Sequence, residues 1–137
     1  MSTTVVLDAS AAVRAVMDPA GQPALLDRLA AAALVLAPSL MRAEAANALW
    51  KYCRADVIDA DEALLRHHEA MLLVHRFVDD QGLFPEALHW AMQVGHPVYD
   101  ALYVLLTRRN AATLLTFDKR LHLACADARI SSEWFSA

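Results

Sequence analysis

The chain has 137 residues, enough for a single domain spanning 1–137 with a core that needs no covalent staples. Hydrophobic residues make up 58%, charged residues 20%, and only 3 residues are glycine, which excludes a disordered tail, a collagen-like repeat and a flexible linker protein. The net charge is −4, from 12 Lys+Arg against 16 Asp+Glu, so the overall balance gives no basic signature of nucleic-acid binding.

Apolar runs such as Ala30–Pro38 are too short to span a membrane. The start, Met1-Ser2-Thr3-Thr4, has no basic region and no export signal, which predicts a cytoplasmic protein. Cys53 and Cys125 lie far apart with no C-x-x-C, so they form neither a disulfide framework nor a zinc site by themselves.

In chain order, Thr3–Leu7 is a short β-branched run that predicts a buried parallel strand ending at Asp8. Ser10–Met17 reads as a short helix stopped by Asp18-Pro19. Pro23–Ala33 is a second helix, with Leu25, Leu26 and Leu29 on its apolar stripe. Leu34–Ala37 is a second strand, ended by Pro38. Ser39 offers a cap for a helix over Leu40–Arg54, whose core face carries Met41, Ala45, Leu49 and Tyr52. Asp59 or Asp61 caps a long helix to about His75, and Phe77–Asp79 is a brief strand or extended chain. Pro85–Val94 is an amphipathic helix with Gly95 just past its end. Pro97 opens a helix over Val98–Arg109, with Asn110 expected in the left-handed cap. Thr113–Thr116 is another buried strand, Asp118–Ala126 a helix, and the tail holds a further edge strand near Ile130. No repeat or linker interrupts this alternation, so the expectation is an α/β domain with a parallel sheet covered on both faces. Sites in such sheets lie beyond the carboxyl ends of the strands, where Asp8 and Asp118 both fall.

Four carboxylates carry the functional reading. Asp100 lies in Val-Tyr-Asp-Ala-Leu-Tyr-Val-Leu-Leu, a helix apolar nearly all round. A charge there needs a partner, a cation or a shifted pKa, or else it is a first-turn acid stabilised by the helix N-terminus. Asp8 reads as a site acid or as an N-cap, with Ser10 as the other candidate cap. Asp118 carries the same two readings. Glu44 shares a helix face with Leu40, Asn47 and Lys51, opposite the core stripe, where a solvated glutamate is the plain alternative.

Taken together, Asp8 with Ser10, Glu44 with Asn47, Asp100 in Val-Tyr-Asp-Ala-Leu-Tyr and Asp118 in Leu-Leu-Thr-Phe-Asp-Lys-Arg-Leu resemble the PIN-domain ribonucleases. More narrowly, they resemble the VapC toxins of bacterial and archaeal toxin–antitoxin modules. The resemblance runs from about Thr4 to Ile130; Asn110 departs from the Gly that many members carry before the last motif. It implies a PIN-like three-layer α/β/α sandwich with a short, mostly parallel central sheet. It also implies a Mg²⁺- or Mn²⁺-dependent endoribonuclease, the toxin of a type II toxin–antitoxin system. Because Mg²⁺ keeps several waters and takes only one or two carboxylates, Asp8 and Asp100 are the expected direct ligands. Glu44 and Asp118 would act through water or on a second ion, and Ser10, Asn47 and Thr116 would orient these groups. Four crowded acids should titrate as a group with raised pKa values. Removing them from the 16 acids leaves 12, equal to the 12 basic residues, so the whole negative excess can belong to the site.

RNA phosphates need cations, for which Lys119 and Arg120 are the first candidates and Arg14 and Arg42 the next; ordinary surface charge is the alternative for each. The expected partners are RNA, a VapB-type antitoxin lying in a groove among the early helices with a basic side chain at the acids, and a second copy of the chain. His67, His68 and His75 read as a hydrated helix face rather than a metal site, and Trp50, Trp90 and Trp134 as core or interface. No Gly-rich phosphate loop is present. The main alternative is a catalytically silent PIN-like scaffold that binds RNA or protein. A haloacid-dehalogenase-like phosphatase would want a second Asp where Ser10 stands, and a receiver domain would lack the helix acid Glu44.

Overall fold

The computed structural model describes residues 3–136. Its elements are β1 (Thr4–Leu7), α1 (Ala9–Met17), α2 (Pro23–Ala31), β2 (Leu34–Pro38), α3 (Leu40–Arg54), α4 (Ala60–Leu72), β3 (Arg76–Val78), α5 (Phe84–Val94), α6 (Val98–Arg109), β4 (Thr113–Thr116), α7 (Lys119–Asp127) and β5 (Ser132–Trp134). Short 3-10 segments cover Pro19–Gly21 and Asp80–Leu83. The strands form one sheet in the order β3-β2-β1-β4-β5, and every neighbouring pair is parallel. Parallel neighbours require crossovers, which is why helices separate all the strands.

The sequence expectation of an α/β sandwich holds, and the sheet is wholly parallel rather than mostly so. Val5, Val6 and Leu7 are consecutive and fully buried, so both faces of β1 are covered. One helical layer joins α1, α3 and α4, and another joins α5 and α6. The α6 run Ala101–Thr107 is buried without a break, as its all-round apolar sequence implies. Trp90 is core, whereas Trp50 and Trp134 are exposed. No helix among the described residues is long and apolar enough to cross a membrane.

Several local expectations are corrected. The α4 helix ends at Leu72, so His75 is not on it. Instead His75 Nδ1 accepts the Val35 N–H at 2.8 Å and its own N–H donates to the Val35 carbonyl at 2.9 Å, extending the sheet edge. Ser39 does not cap α3; it is already helical, with its hydroxyl on the Val78 carbonyl at 3.2 Å. The Leu40 N–H is taken at 2.9 Å by Asp80, which follows β3, because Pro38 and Val78 are register partners and bring that turn to the helix start. Asn110 keeps a negative φ and donates its side-chain amide to the Leu106 carbonyl at 2.9 Å; Ala111 takes the left-handed position, at φ 48°. The first and last expected helices begin one residue from where they were placed, at Ala9 and Lys119, because Asp8 and Asp118 are their N-caps. The α2 helix stops at Ala31, and the edge strand lies at Ser132–Trp134.

Candidate active site

Asp8 follows β1 directly and Asp118 follows β4, the sheet neighbour of β1. Each caps the next helix, and each also lines the same cavity. Asp8 is 5% exposed and accepts three hydrogen bonds: Ser10 Oγ at 2.6 Å and the Ala11 N–H at 2.9 Å on Oδ1, and Thr116 Oγ1 on Oδ2. The two hydroxyls have no freedom to turn away. Ser10 Oγ accepts the Phe117 N–H at 3.0 Å and Thr116 Oγ1 accepts the Asp118 N–H at 2.9 Å, so each proton is directed at Asp8. The turn after β4 and the end of β1 are thus locked together through one carboxylate.

Burial pushes the Asp8 carboxyl up to about 6, against the pull of its hydrogen bonds to Ser10, Thr116 and Ala11; the charge of Asp118 adds a smaller upward push. Glu44 and Asp100 are also raised, chiefly by burial. Mutual repulsion, the cause expected from the sequence, is present but secondary to desolvation.

The helices supply the other two acids. Glu44 on α3 is half-buried rather than solvated, and Tyr103 on α6 donates its hydroxyl to Glu44 Oε1 at 2.6 Å. Burial, then the Glu44 charge beside it, pushes the Tyr103 hydroxyl far up, so it stays a donor. Asp100 lies one turn before Tyr103 on the same helix face. His96 Nδ1 meets Asp100 Oδ2 at 3.2 Å, where an ionised Asp100 requires the proton on Nδ1, and Nε2 is buried with no partner among the described residues. Asp118 Oδ1 accepts the Arg120 and Leu121 N–H groups at 3.0 and 3.2 Å.

Asp8, Glu44, Asp100 and Asp118 all line one cavity of about 650 Å³, with Ser10 and Asn47 beside them. Thr116 lies fully buried behind Asp8. The predicted cations do not join that wall. The Arg14 guanidinium lies 5.4 Å from the Phe117 ring centroid, Arg42 4.1 Å from Phe77, and the Lys119 ammonium 5.3 Å from Trp134. Lys119 and Arg120 line a second cavity of about 620 Å³ together with Gly95 and His96. Arg120 still acts on the acids, since its charge holds the Asp100 carboxyl down against the larger upward effects. The cation that does line the acidic cavity is Lys51, which the sequence placed on the Glu44 face without giving it a role. Tyr103 and His96 were also missed. Their signal was spacing, three residues after and four before Asp100 on neighbouring turns.

The donor set is all oxygen, which suits a hard divalent cation rather than zinc. Among the described residues no three His, Cys, Asp or Glu side chains converge tightly enough to hold a metal by themselves. One oxygen each of Glu44, Asp100 and Asp118 has no protein donor among the described residues, which leaves it open to water.

A PIN domain family model matches residues 5–126, a span that includes all four acids. The chain belongs to the PIN domain family. Ribonuclease VapC3 from Pyrobaculum aerophilum is 35% identical over 83 residues, which cover 57% of this chain and 61% of that protein's length. The PIN fold is matched by the crystal structure of PAE2754 from Pyrobaculum aerophilum, with TM-score 0.71 and 23% identity over 90% of this chain and 87% of that one. It is also matched by VapBC2 from Rickettsia felis, solved bound to a DNA fragment from their promoter, with TM-score 0.65 and 18% identity over 97% and 99% of the two chains. At those identities the structures speak for the PIN fold.

Proposed function

We propose that this PIN domain is a metal-dependent endoribonuclease, the toxin of a type II toxin–antitoxin module acting in the cytoplasm. The observation that carries the reading is the convergence of Asp8, Glu44, Asp100 and Asp118 on one cavity at the carboxyl end of a parallel sheet. The relative named Ribonuclease VapC3 supports the reaction, and the likeness to VapBC2 supports a VapB-type antitoxin as partner.

Asp8 and Asp100 would hold Mg²⁺ or Mn²⁺ directly, with Glu44 and Asp118 acting through waters or on a second ion. When bound, such a cation supplies charge neutralisation at the phosphate and acidifies a water. The chain's own part is orientation. Ser10, Thr116 and Ala11 hold Asp8, Tyr103 holds Glu44, and His96 holds Asp100. Asn47 stands one turn from Glu44 and can orient a water or a phosphate oxygen. Lys51 inside the cavity, with Lys119 and Arg120 at the neighbouring one, would meet flanking phosphates; Arg14 and Arg42 are further out. Without a cation the four acids repel RNA, so binding as well as cleavage should depend on metal. The chain would act as a homodimer, silenced by an antitoxin that brings a basic side chain to the acids.

The test is cleavage of total RNA by purified, antitoxin-free protein with Mn²⁺, Mg²⁺ or EDTA, beside Asp8→Asn and Asp100→Asn. Discrete fragments that need metal and both aspartates are expected, with each substitution costing about a thousandfold, several kcal/mol of transition-state stabilisation. Cleavage that survives EDTA or both substitutions would overturn the site. Folded protein that binds RNA without cutting it would indicate the silent scaffold.

A further inference from the structure

The cavity does not stop at the acids. Its α3 wall is one stripe of that helix, Glu44, Asn47, Ala48, Lys51 and Tyr52, continued by the C-cap Ala55, at the spacings of three and four that share a face. Along it the chemistry changes from carboxylate to amide to ammonium over two turns, about 10 Å. The far end is a recess of different character. Its lining there is Ala48, Tyr52, Ala55 and Val57; Ala48 and Tyr52 are partly buried and pack against the core, while Val57 is 61% exposed. No ion pair or hydrogen bond among the described residues engages the Lys51 ammonium.

Carboxylates and a cation would suffice for a phosphate alone; an apolar recess beside an aromatic ring suits a nucleobase. We propose that this recess is a nucleotide subsite. It takes one base of single-stranded RNA next to the scissile phosphate, against Tyr52 and between Ala55 and Val57, with that nucleotide's outer phosphate on Lys51. The inference rests on the ribonuclease reading above and deepens it, because it names the residues with which the protein senses a nucleotide beside the cut. The order of charges favours RNA over a basic peptide at this end. A strand with one phosphate at the acids and its next phosphate at Lys51 meets a favourable partner at both places, whereas a basic side chain entering along the recess meets Lys51 as a like charge.

The experiment uses the Mn²⁺-loaded full chain and a short single-stranded RNA with one mapped cut. Two further versions of that RNA carry an abasic residue, one on each side of the cut. The protein variants are Ala55→Phe, which fills the recess, and Lys51→Ala. Both positions are exposed, so the fold is not at stake, and thermal melts check that. For the unaltered protein, one of the two abasic RNAs should show KM raised about tenfold with kcat little changed, the scale of one lost base–aromatic stack. Ala55→Phe should raise KM for intact RNA to the same level and add nothing for the abasic one. Lys51→Ala should raise KM and reduce the salt dependence of binding by about one phosphate contact. Equal KM for all three RNAs, or an Ala55→Phe protein with unchanged KM, overturns the subsite while leaving the ribonuclease reading standing. Loss of protein-partner binding in these variants with RNA kinetics untouched overturns it in favour of a protein-docking role. If the unaltered protein cuts no RNA, the ribonuclease reading itself fails and takes the subsite with it.

Discussion

Two walls of one cavity hold their acids in opposite ways. On the sheet wall, Asp8 is buried and accepts three hydrogen bonds, and two of their donors are themselves pinned by backbone amides. On the helix wall, Glu44 and Asp100 are half-buried and each accepts one side-chain hydrogen bond, from Tyr103 and His96. Backbone at the end of a buried parallel strand cannot move without disturbing the sheet, so a carboxylate fixed there is preorganised before any cation or substrate arrives. Glu44 on α3 and Asp100 on α6 each keep one oxygen without a protein donor among the described residues, which would suit groups that adjust as waters and phosphate come and go. The cavity joins one fixed carboxylate to others held by fewer bonds.

The strongest way to break this contrast is Thr116→Val. The methyl keeps the volume but removes the Oδ2 donor and strands the Asp118 N–H. A loss of about 10- to 100-fold in Mn²⁺ affinity or in cleavage is expected. Titration calorimetry with Mn²⁺ reads the first without relying on activity. An unchanged affinity would show that Asp8 needs no such clamp.

Changing pH tests the same residue by a different route. Asp8 titrates at about 6 in the fold and near 3.8 unfolded, so the folded state holds the proton more tightly. Without metal, this contribution to stability is fully present below about pH 4 and is lost as the pH rises through about 6, by on the order of 3 kcal/mol. Glu44 and Asp100 shift in the same direction and act in the same sense. Mn²⁺ requires the deprotonated form, so its affinity should fall about tenfold per pH unit below about 6. Urea melts at pH 5 and pH 7.5, with EDTA and with Mn²⁺, check both halves. Stability in EDTA that rises across that window would contradict the buried, raised Asp8.

On the helix wall the expected effects are smaller. Tyr103→Phe preserves the ring in the core but frees Glu44, and should cost about tenfold in cleavage with little change in melting temperature. His96→Asn can return an N–H near the Nδ1 position, whereas His96→Gln reaches past it, so the Asn variant should keep more Mn²⁺ affinity than the Gln variant. If Tyr103→Phe cost more than Thr116→Val, the two walls would have exchanged roles. The least effect should come from Asp80→Ala. It removes the cap that holds the start of α3, at about 1 kcal/mol of stability read by melting, and should leave metal affinity nearly unchanged.

The residues themselves determined a great deal. Short β-branched runs and capped amphipathic stretches made the alternation of strand and helix legible, α3 and α6 to their observed ends. Asp8 and Asp118 were readable as strand-end acids because an apolar run stops abruptly at a charge, and Asp100 because an all-apolar helix contains one carboxylate. These signals are local: periodicity, propensity and the cost of burying a charge act over a few residues. Pairings across long separations carried no such signal. Asp80 displaces Ser39 as the cap of α3, and Tyr103 reaches Glu44 across 59 positions. Lys51 enters the cavity while Arg14, Arg42, Lys119 and Arg120 rest on aromatic rings or a second cavity. Each of these was decided by the strand order β3-β2-β1-β4-β5, which places chain segments side by side regardless of their distance in sequence. Only that order brings the strand-end acids and the helix acids to one cavity, where burial raises the affinity of Asp8, Glu44 and Asp100 for protons.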